Sequence, residues 1–508
     1  MKYDVIVIGG GLGGLTAGAK LAKSRKKVLL LEQNSTLGGC AATFKRQGFL
    51  MDAGLHEMDG LDKNDFKLKI FDELGVTGKV KFVRVPEFYR LIAPGFEFTM
   101  PDNADEAERR LIETFPHERA GIEKFFHVIM SMAKWLARMP LNPLKFILVF
   151  PFLFPFFYYY IFRFAKKNVG DFIDSIISDE KLKLILLANV GYYHDDPYEL
   201  GMTYFGAAQG SYFTGGGHFI KGGSKELVEA MADVIRENGG EVLTRHEAVR
   251  VIVENGRAKG VEYRKVSKTH QESQQKVIAE ADAVALNAPL PIVISDMMPG
   301  AADEKFVKKI GGMKLPGSAF SVYLGFKKPV KELGNRFYST FVMGELIKTI
   351  RDIPKDAKSA DYSAKSYVFV DYSQIDSGLT EAGKSFGSIV ISDSPANWEG
   401  LTKDEYAAKK KMVAETLIAK LDKLIPGAKD AIEYYEAATP LTIIRFTRNP
   451  GGVFYGFAQT VDQGMMDRPM QIPGVKNVHV ASAWGMPGGG FSGAIFGGYF
   501  AAMKILSK

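Results

Sequence analysis

The chain of 508 residues contains a single cysteine, Cys40, so no disulfide framework or cysteine-rich zinc or iron–sulfur site can form. It offers no Ser-His-Asp pattern, no H-E-x-x-H and no P-loop, which leaves hydrolytic and metal-assisted chemistry without a seat; no metal is expected. Acidic residues are missing between Lys124 and Gly170, where Lys124, Lys134, Arg138, Lys145, Arg163, Lys166 and Lys167 stand. Against a net charge of +7, the rest of the chain therefore balances to about zero. No basic n-region, cleavage site or transit-peptide character precedes the first apolar run, which predicts a reducing, cytoplasmic location. Repeats and low-complexity tracts are absent too. What is there is an ordinary globular composition, 46% hydrophobic and 24% charged, at a length that calls for two connected domains.

Residues 3–8 form a continuous apolar run, as a strand buried on both faces of a parallel sheet requires. A glycine-rich turn, an apolar-periodic helix from Leu15 to Lys23 and a second buried strand at 28–32 complete a βαβ unit. Residues 61–135 read as mixed and mostly helical. Leu227, Val228, Met231, Val234 and Ile235 mark an amphipathic helix ended by Gly239-Gly240. A strand at 241–244, a hairpin turning at Asn255-Gly256 and a buried strand at 281–289 follow. Period-two stretches over 318–394 predict a mainly antiparallel sheet, and 403–424 a polar helix. The chain closes with a strand, a dense glycine loop and a helix of small residues.

Gly9, Gly11 and Gly14 give G-x-G-x-x-G directly after the first strand and opening the helix. Such glycines permit a tight turn, close backbone approach to a pyrophosphate and close helix–strand packing. The helix start adds unpaired N–H groups and partial positive charge for the phosphates. Glu32 lies 18 residues past Gly14, where a carboxylate can accept hydrogen bonds from ribose hydroxyls. Its charge argues against a 2′-phosphate. The glycines by themselves leave FAD and NAD open.

A second glycine pair follows in TLGGCAAT, and DAGLHE occupies 52–57. With VIVIGGGLGGLTAGAKLA, GGSKELVEAMADVIRENGGEV and NVHVASAWGMPGGGFSGAIFGGYFAA, these segments resemble the glutathione-reductase-like flavoproteins. More narrowly, the chain resembles the phytoene desaturase, carotenoid cis-trans isomerase and retinol saturase family of FAD-dependent oxidoreductases. The likeness covers nearly all of the chain, strongest at the ends and weakest over 60–210 and 330–440. It implies an α/β fold: a glutathione-reductase-like FAD-binding Rossmann domain made of 1–60, 216–300 and 451–508. An interleaved α+β substrate domain, antiparallel sheet plus helices, would take 61–215 and 301–450.

The resemblance also implies which residues meet FAD. From the N-terminal part these are Gly9, Gly11, Leu12, Gly13, Gly14, Glu32, Gly38, Gly39, Cys40 and Thr43. The hairpin around Val249 resembles the strand that contacts the adenine. Gly485, Gly488, Gly489, Gly490 and Gly493 would let backbone amides approach the pyrophosphate, ribityl chain and flavin pyrimidine edge. One departure stands out: many relatives, the amine oxidases included, carry Arg after the glycine pair where this chain has Cys40. That substitution is familiar on the isomerase and saturase side.

With a flavin doing the hard chemistry, the protein supplies position, electrostatics and water exclusion. The activity implied is desaturation, saturation or cis–trans isomerisation of a lipophilic polyene, with a quinone or NAD(P)H as electron partner. Alternatives are a flavin amine oxidase and a non-catalytic prenyl-lipid escort protein. Catalytic candidates are His56 and Glu57 after DAG, and Arg445 in TIIRFTRNPGG. His56 reads equally as a structural histidine and Arg445 as a salt-bridge partner. His194, Asp195 and Asp196, just before Pro197, read as a solvated turn.

FILVFPFLFPFFYYYIFRF at 146–164 holds eleven aromatic residues and is broken by Pro151 and Pro155. It is short for a spanning helix and too uniformly apolar for a solvated one. A buried core segment is one reading. A monotopic patch over 140–167, with tyrosines at the headgroup level and flanking Lys and Arg against anionic lipid, is the favoured one. The same flanking pattern directs the basic charge to a membrane surface and away from nucleic acid.

Overall fold

The computed structural model describes residues 2–137, 151–152, 159–267 and 272–507; most of the aromatic segment expected to meet a membrane lies outside them. One seven-stranded sheet orders Glu241–Leu243, Val28–Leu31, Lys2–Ile8, Glu272–Leu286, Arg257–Val266 and His246–Glu254, with Val478–Val480 also beside Glu272–Leu286. Its centre is parallel, Val5 facing Val28 and Val7 facing Ala285. Its far side is the antiparallel hairpin that turns at Asn255 and Gly256, both at positive φ. Strand Glu272–Leu286 is longer than the run 281–289 predicts, because its first half pairs with the hairpin and its second half with Lys2–Ile8.

Helices Leu12–Lys23, Ser224–Glu237 and Gly490–Leu506 cover this sheet. The apolar positions from Leu227 to Ile235 are all buried. The two ends of the chain meet backbone to backbone. A Cβ at Gly13 would stand 2.2 Å from the Ala481 carbonyl oxygen, and one at Gly498 would stand 2.0 Å from that of Gly13. Only glycines allow helices this close an approach.

A second seven-stranded sheet runs Ile432–Ala438, Ser318–Phe326, Ser385–Asp393, Tyr367–Asp371, Ser339–Val342, Tyr89–Ala93 and Phe96–Met100. It is antiparallel apart from the parallel pair Ser339–Val342 and Tyr89–Ala93. Strands therefore interrupt the region expected to be mostly helical. Tyr89–Ala93 alternates buried and half-buried residues, Gly95 turns the hairpin at φ +83°, and the partner that fixes them lies at 339–342. That partner is invisible to local periodicity. Helix Lys403–Leu424 forms as expected, started by a Thr402–Glu405 capping box, with Val413, Leu417 and Leu421 buried on one face. Helices Arg119–Ala137 and Met202–Gly215 pack together as a further layer.

The glycine nest yields the first expectation. In Gly498→Val the side chain is driven into the Gly13 carbonyl, and overpacking of this kind costs about 1–3 kcal/mol or more. Urea unfolding should show a lower midpoint; an unchanged midpoint would mean the two helices separate without cost.

Candidate active site

One cavity of about 1280 Å³ runs from the glycine turn after the first strand to the second sheet and the helical layer. A typical site for one small ligand has roughly 300–1,000 Å³, so this space takes more than one. At one end Gly9, at φ +98°, turns the chain into helix Leu12–Lys23, whose start has no side-chain cap. Its first N–H groups are thus left for a ligand. Asn287 braces the turn: its N–H donates to the Ile8 carbonyl at 2.7 Å and its side chain to that of Gly9 at 3.3 Å.

Glu32 lines the same end, its carboxylate accepting from the N–H groups of Gly10 at 2.8 Å and Asn34 at 2.7 Å. Burial raises its pKa against those hydrogen bonds. Gly38 and Gly39, both at positive φ, lie against the first turn, where the Gly38 N–H donates to the Gly10 carbonyl at 2.8 Å. Leu12 and Cys40 also line the cavity. Burial pushes the Cys40 thiol up to about 12, so it is no nucleophile at neutral pH.

From the other end of the chain, Gly488, Gly489 and Gly490 line the cavity at φ +88°, +62° and +58° and lead into helix Gly490–Leu506. Gly493 lines it as well; a Cβ there would overlap the Gly488 carbonyl. Both glycine clusters thus face one space. The donors left open there and the room that side chains would fill suit a dinucleotide with a diphosphate and a flat ring.

Other expected contacts stand off the cavity, each for a physical reason. Gly13 and Gly14 serve close packing, Gly14 against the Gly9 carbonyl and Gly13 against Ala481. Gly485 packs on the Pro469 carbonyl. Thr43 accepts from the Lys225 N–H at 3.0 Å and donates to Asp52, which ties down the start of helix Ser224–Glu237. At Val249 a register shift between Ala248 and Arg250 turns the strand, so His246, Glu247 and Ala248 reach the cavity instead. Arg445 lies on the exposed face of helix Pro440–Thr447, its guanidinium 4.8 Å from the Phe446 ring centroid, while Phe446, Thr447 and Arg448 form the wall.

The segment 53–57 is clamped by tyrosines. Tyr323 donates to the Ala53 carbonyl at 2.8 Å, Tyr372 to Leu55 at 2.7 Å, Tyr338 to His56 at 2.5 Å and Tyr212 to Glu57 at 3.3 Å. The His56 ring meets the Tyr192 hydroxyl through Nδ1 at 2.9 Å. Burial pulls His56 down to about 4, so it is neutral at pH 7. Glu57 is buried and lines the cavity, and among the described residues neither carboxyl oxygen is in a hydrogen bond of normal geometry. Burial, reinforced by the charge of Glu87 and partly offset by the Tyr192 hydroxyl, pushes it up to about 8. Both candidates are therefore uncharged at neutral pH beside an apolar space.

His194 is no solvated turn. It is buried, its Nδ1 accepts from the Asp196 N–H at 2.9 Å, and with Asp195 it lines the cavity. Sequence reasoning missed Asn287, Gln459, Tyr192 and Tyr204, which all line the cavity. Asn287 had a local signal, since it ends a strand of the dinucleotide sheet. The others had none.

Two glycine turns facing one cavity from opposite ends of the chain define a dinucleotide-binding oxidoreductase fold. The family model described as flavin containing amine oxidoreductase matches residues 12–506, and the chain belongs to this family; its cofactor is FAD. Among curated relatives, prolycopene isomerase 1 of an Oncidium hybrid cultivar is 26% identical over 99% of this chain and 84% of the relative. The all-trans-retinol 13,14-reductase of Danio rerio is 26% identical over 99% of this chain and 86% of the relative. Among solved structures, a putrescine oxidase bound to putrescine shares the fold, with TM-score 0.62, 16% identity and full coverage of both chains.

The titration of Glu57 has a measurable consequence. Its folded value of about 8 lies above the ordinary 4.5, so its contribution to stability is intact below that ordinary value and lost as pH rises towards 8. Glu57→Gln removes the loss. The Tm of the variant relative to wild type should therefore climb between about pH 5 and about pH 9. A difference independent of pH would show that Glu57 titrates as in solvent.

Proposed function

We propose that the protein is an FAD-dependent oxidoreductase or isomerase of a lipophilic polyene, acting by desaturation, saturation or cis–trans isomerisation. The observation that carries this reading is the continuity of the glycine-lined end with an apolar arm bounded by Leu187, Ala207, Phe341, Val368 and Ile391. The names of the relatives, a prolycopene isomerase and a retinol reductase, point the same way. In this reading residues 1–60, 216–300 and 451–508 hold the cofactor and the remainder holds the substrate.

The helix start at Gly11–Leu12 holds the diphosphate, Glu32 the ribose, and the glycines from Gly488 to Gly490 the far half of the cofactor. FAD, when bound, supplies the two-electron chemistry. The chain's own task is to lay the polyene flat, keep water out and manage protons. Neutral His56 and protonated Glu57 do the last: Glu57 can give a proton to a polyene carbon or take one back, and Tyr192 fixes the His56 ring beside it. A quinone or NAD(P)H is the electron partner that sets the direction.

The substrate enters from a membrane surface through 140–167. Helix Tyr159–Phe164 supports this reading: Phe162 is 57% exposed and also lines the cavity, and Phe152 is 79% exposed. Among the described residues no helix is long and apolar enough to cross a membrane. Two measurements check the function. Protein purified from detergent extract should show a flavin spectrum and carry a polyene identifiable by mass; a protein that binds no polyene and releases peroxide from an alkylamine would be an amine oxidase. Turnover should fall as pH rises through about 8, and Glu57→Gln should lose roughly 10²–10⁴-fold. For the membrane contact, Phe152→Ser with Phe162→Ser should weaken co-sedimentation with anionic liposomes; undiminished binding would refute the entrance.

A further inference from the structure

Two buried polar side chains lie behind the C-terminal glycine loop, one without partners and one that carries a charge among carbonyls. Gln459 is 1% exposed and lines the cavity, yet among the described residues neither its amide nitrogen nor its amide oxygen has a hydrogen-bond partner. Leaving such a group unpaired in the interior is costly, so a ligand is its natural complement. Arg468 is 4% exposed and sits among main-chain carbonyls, donating to Phe457 at 2.6 Å, Ala458 at 2.9 Å and Ala483 at 3.2 Å. Among the described residues no carboxylate pairs with it. Burial lowers its pKa to about 10, which still leaves it charged at neutral pH.

Both groups converge on the same glycine. A Cβ at Gly488 would lie 2.5 Å from the Arg468 Nη1 and 2.5 Å from the Gln459 Nε2. One at Gly489 would lie 2.1 Å from the Tyr204 hydroxyl and 3.1 Å from the Gln459 Nε2. The start of helix Gly490–Leu506, uncapped by any side chain, opens at this point. The helix start and the Gln459 amide meet one patch of the cavity, and the Arg468 guanidinium lies behind that patch across the Gly488 turn.

The position selects which part of FAD meets the patch. The terminal helix crosses the N-terminal glycine turn at Gly498 on Gly13. Its start at Gly490 is eight residues earlier, about 12 Å away along the axis. With the ribose at Glu32 and the diphosphate at Gly11, the patch lies where the extended cofactor ends in its ring. Tyr204 and Tyr455 supply aromatic wall there.

We propose that Gln459 and Arg468 form a cradle for the pyrimidine edge of the flavin, Gln459 by direct hydrogen bonds and Arg468 by its charge through the Gly488 turn, and that they stabilise the negative charge this edge gains on reduction. Gln459 touches the cofactor; Arg468 is a positioning residue. The inference rests on the FAD assignment but not on the polyene, so the test uses no substrate.

Holoenzyme, Gln459→Leu, Gln459→Glu and Arg468→Met are compared by the midpoint potential of bound FAD and by sulfite affinity, since sulfite addition places negative charge on the same edge. Gln459→Leu removes no hydrogen bond of the side chain, so its folding is not at stake. The expected result is a shift of at least tenfold towards oxidised cofactor, about 30 mV for a two-electron couple, in each variant, largest in Gln459→Glu. Sulfite should bind at least tenfold more weakly. Potentials and sulfite affinities equal to wild type in Gln459→Leu and Gln459→Glu would overturn the proposal, even if Arg468→Met merely retained less FAD. A protein that polyene assays show to be inactive but whose potentials shift as stated would leave the cradle standing and remove only the substrate reading.

Discussion

The structure depends on one close contact: Gly13 in the first helix nests against Ala481 and Gly498 from the last stretch of the chain. Any side chain at these glycines would hold the two segments apart. Because they touch, two helix starts from opposite ends of the sequence open into one cavity. Positive potential is thereby placed at both halves of an extended ligand with almost no charged side chain spent on it.

Buried charge in and next to the cavity is handled by pairing or by neutralisation. Lys67, 2% exposed, lies 3.0 Å from both Asp59 and Asp65, and Ser492 of the last helix donates to Asp59 at 2.5 Å. Burial works against the Asp59 carboxylate, but Lys67 holds it below the usual range. Breaking such a buried pair leaves an uncompensated charge, so the cluster ties Asp59 at the cavity edge to the terminal helix. His56 and Glu57, three and two residues before Asp59, have no counter-charge among the described residues and are neutral instead. The result is a segment that carries no charge at neutral pH beside an apolar part of the cavity.

The parts of this protein that could be read from sequence are those where backbone geometry and local pattern coincide. The strand–glycine–helix–strand unit with Glu32, the Asn255-Gly256 hairpin and helix Lys403–Leu424 each carry their cause within a few residues. Misses follow the opposite rule. Strands Tyr89–Ala93 and Phe96–Met100 exist because Ser339–Val342 supplies an edge. Val249 was displaced by a bulge, Arg445 by helical phase, and the buried His194 by packing of segments far from it in the chain.

The sequence by itself determined a dinucleotide-binding βαβ unit, because glycine spacing and hydrophobic period are short-range constraints written residue by residue, while the family and the flavin followed from the resemblance of its motifs at both ends. Tertiary structure alone decided which polar groups are buried together. The tyrosine clamp on 53–57, the neutral Glu57 and the unpaired Gln459 beside Arg468 join residues up to hundreds of positions apart. Their protonation and their lack of partners come from desolvation in a cavity that exists only once both sheets have closed around it.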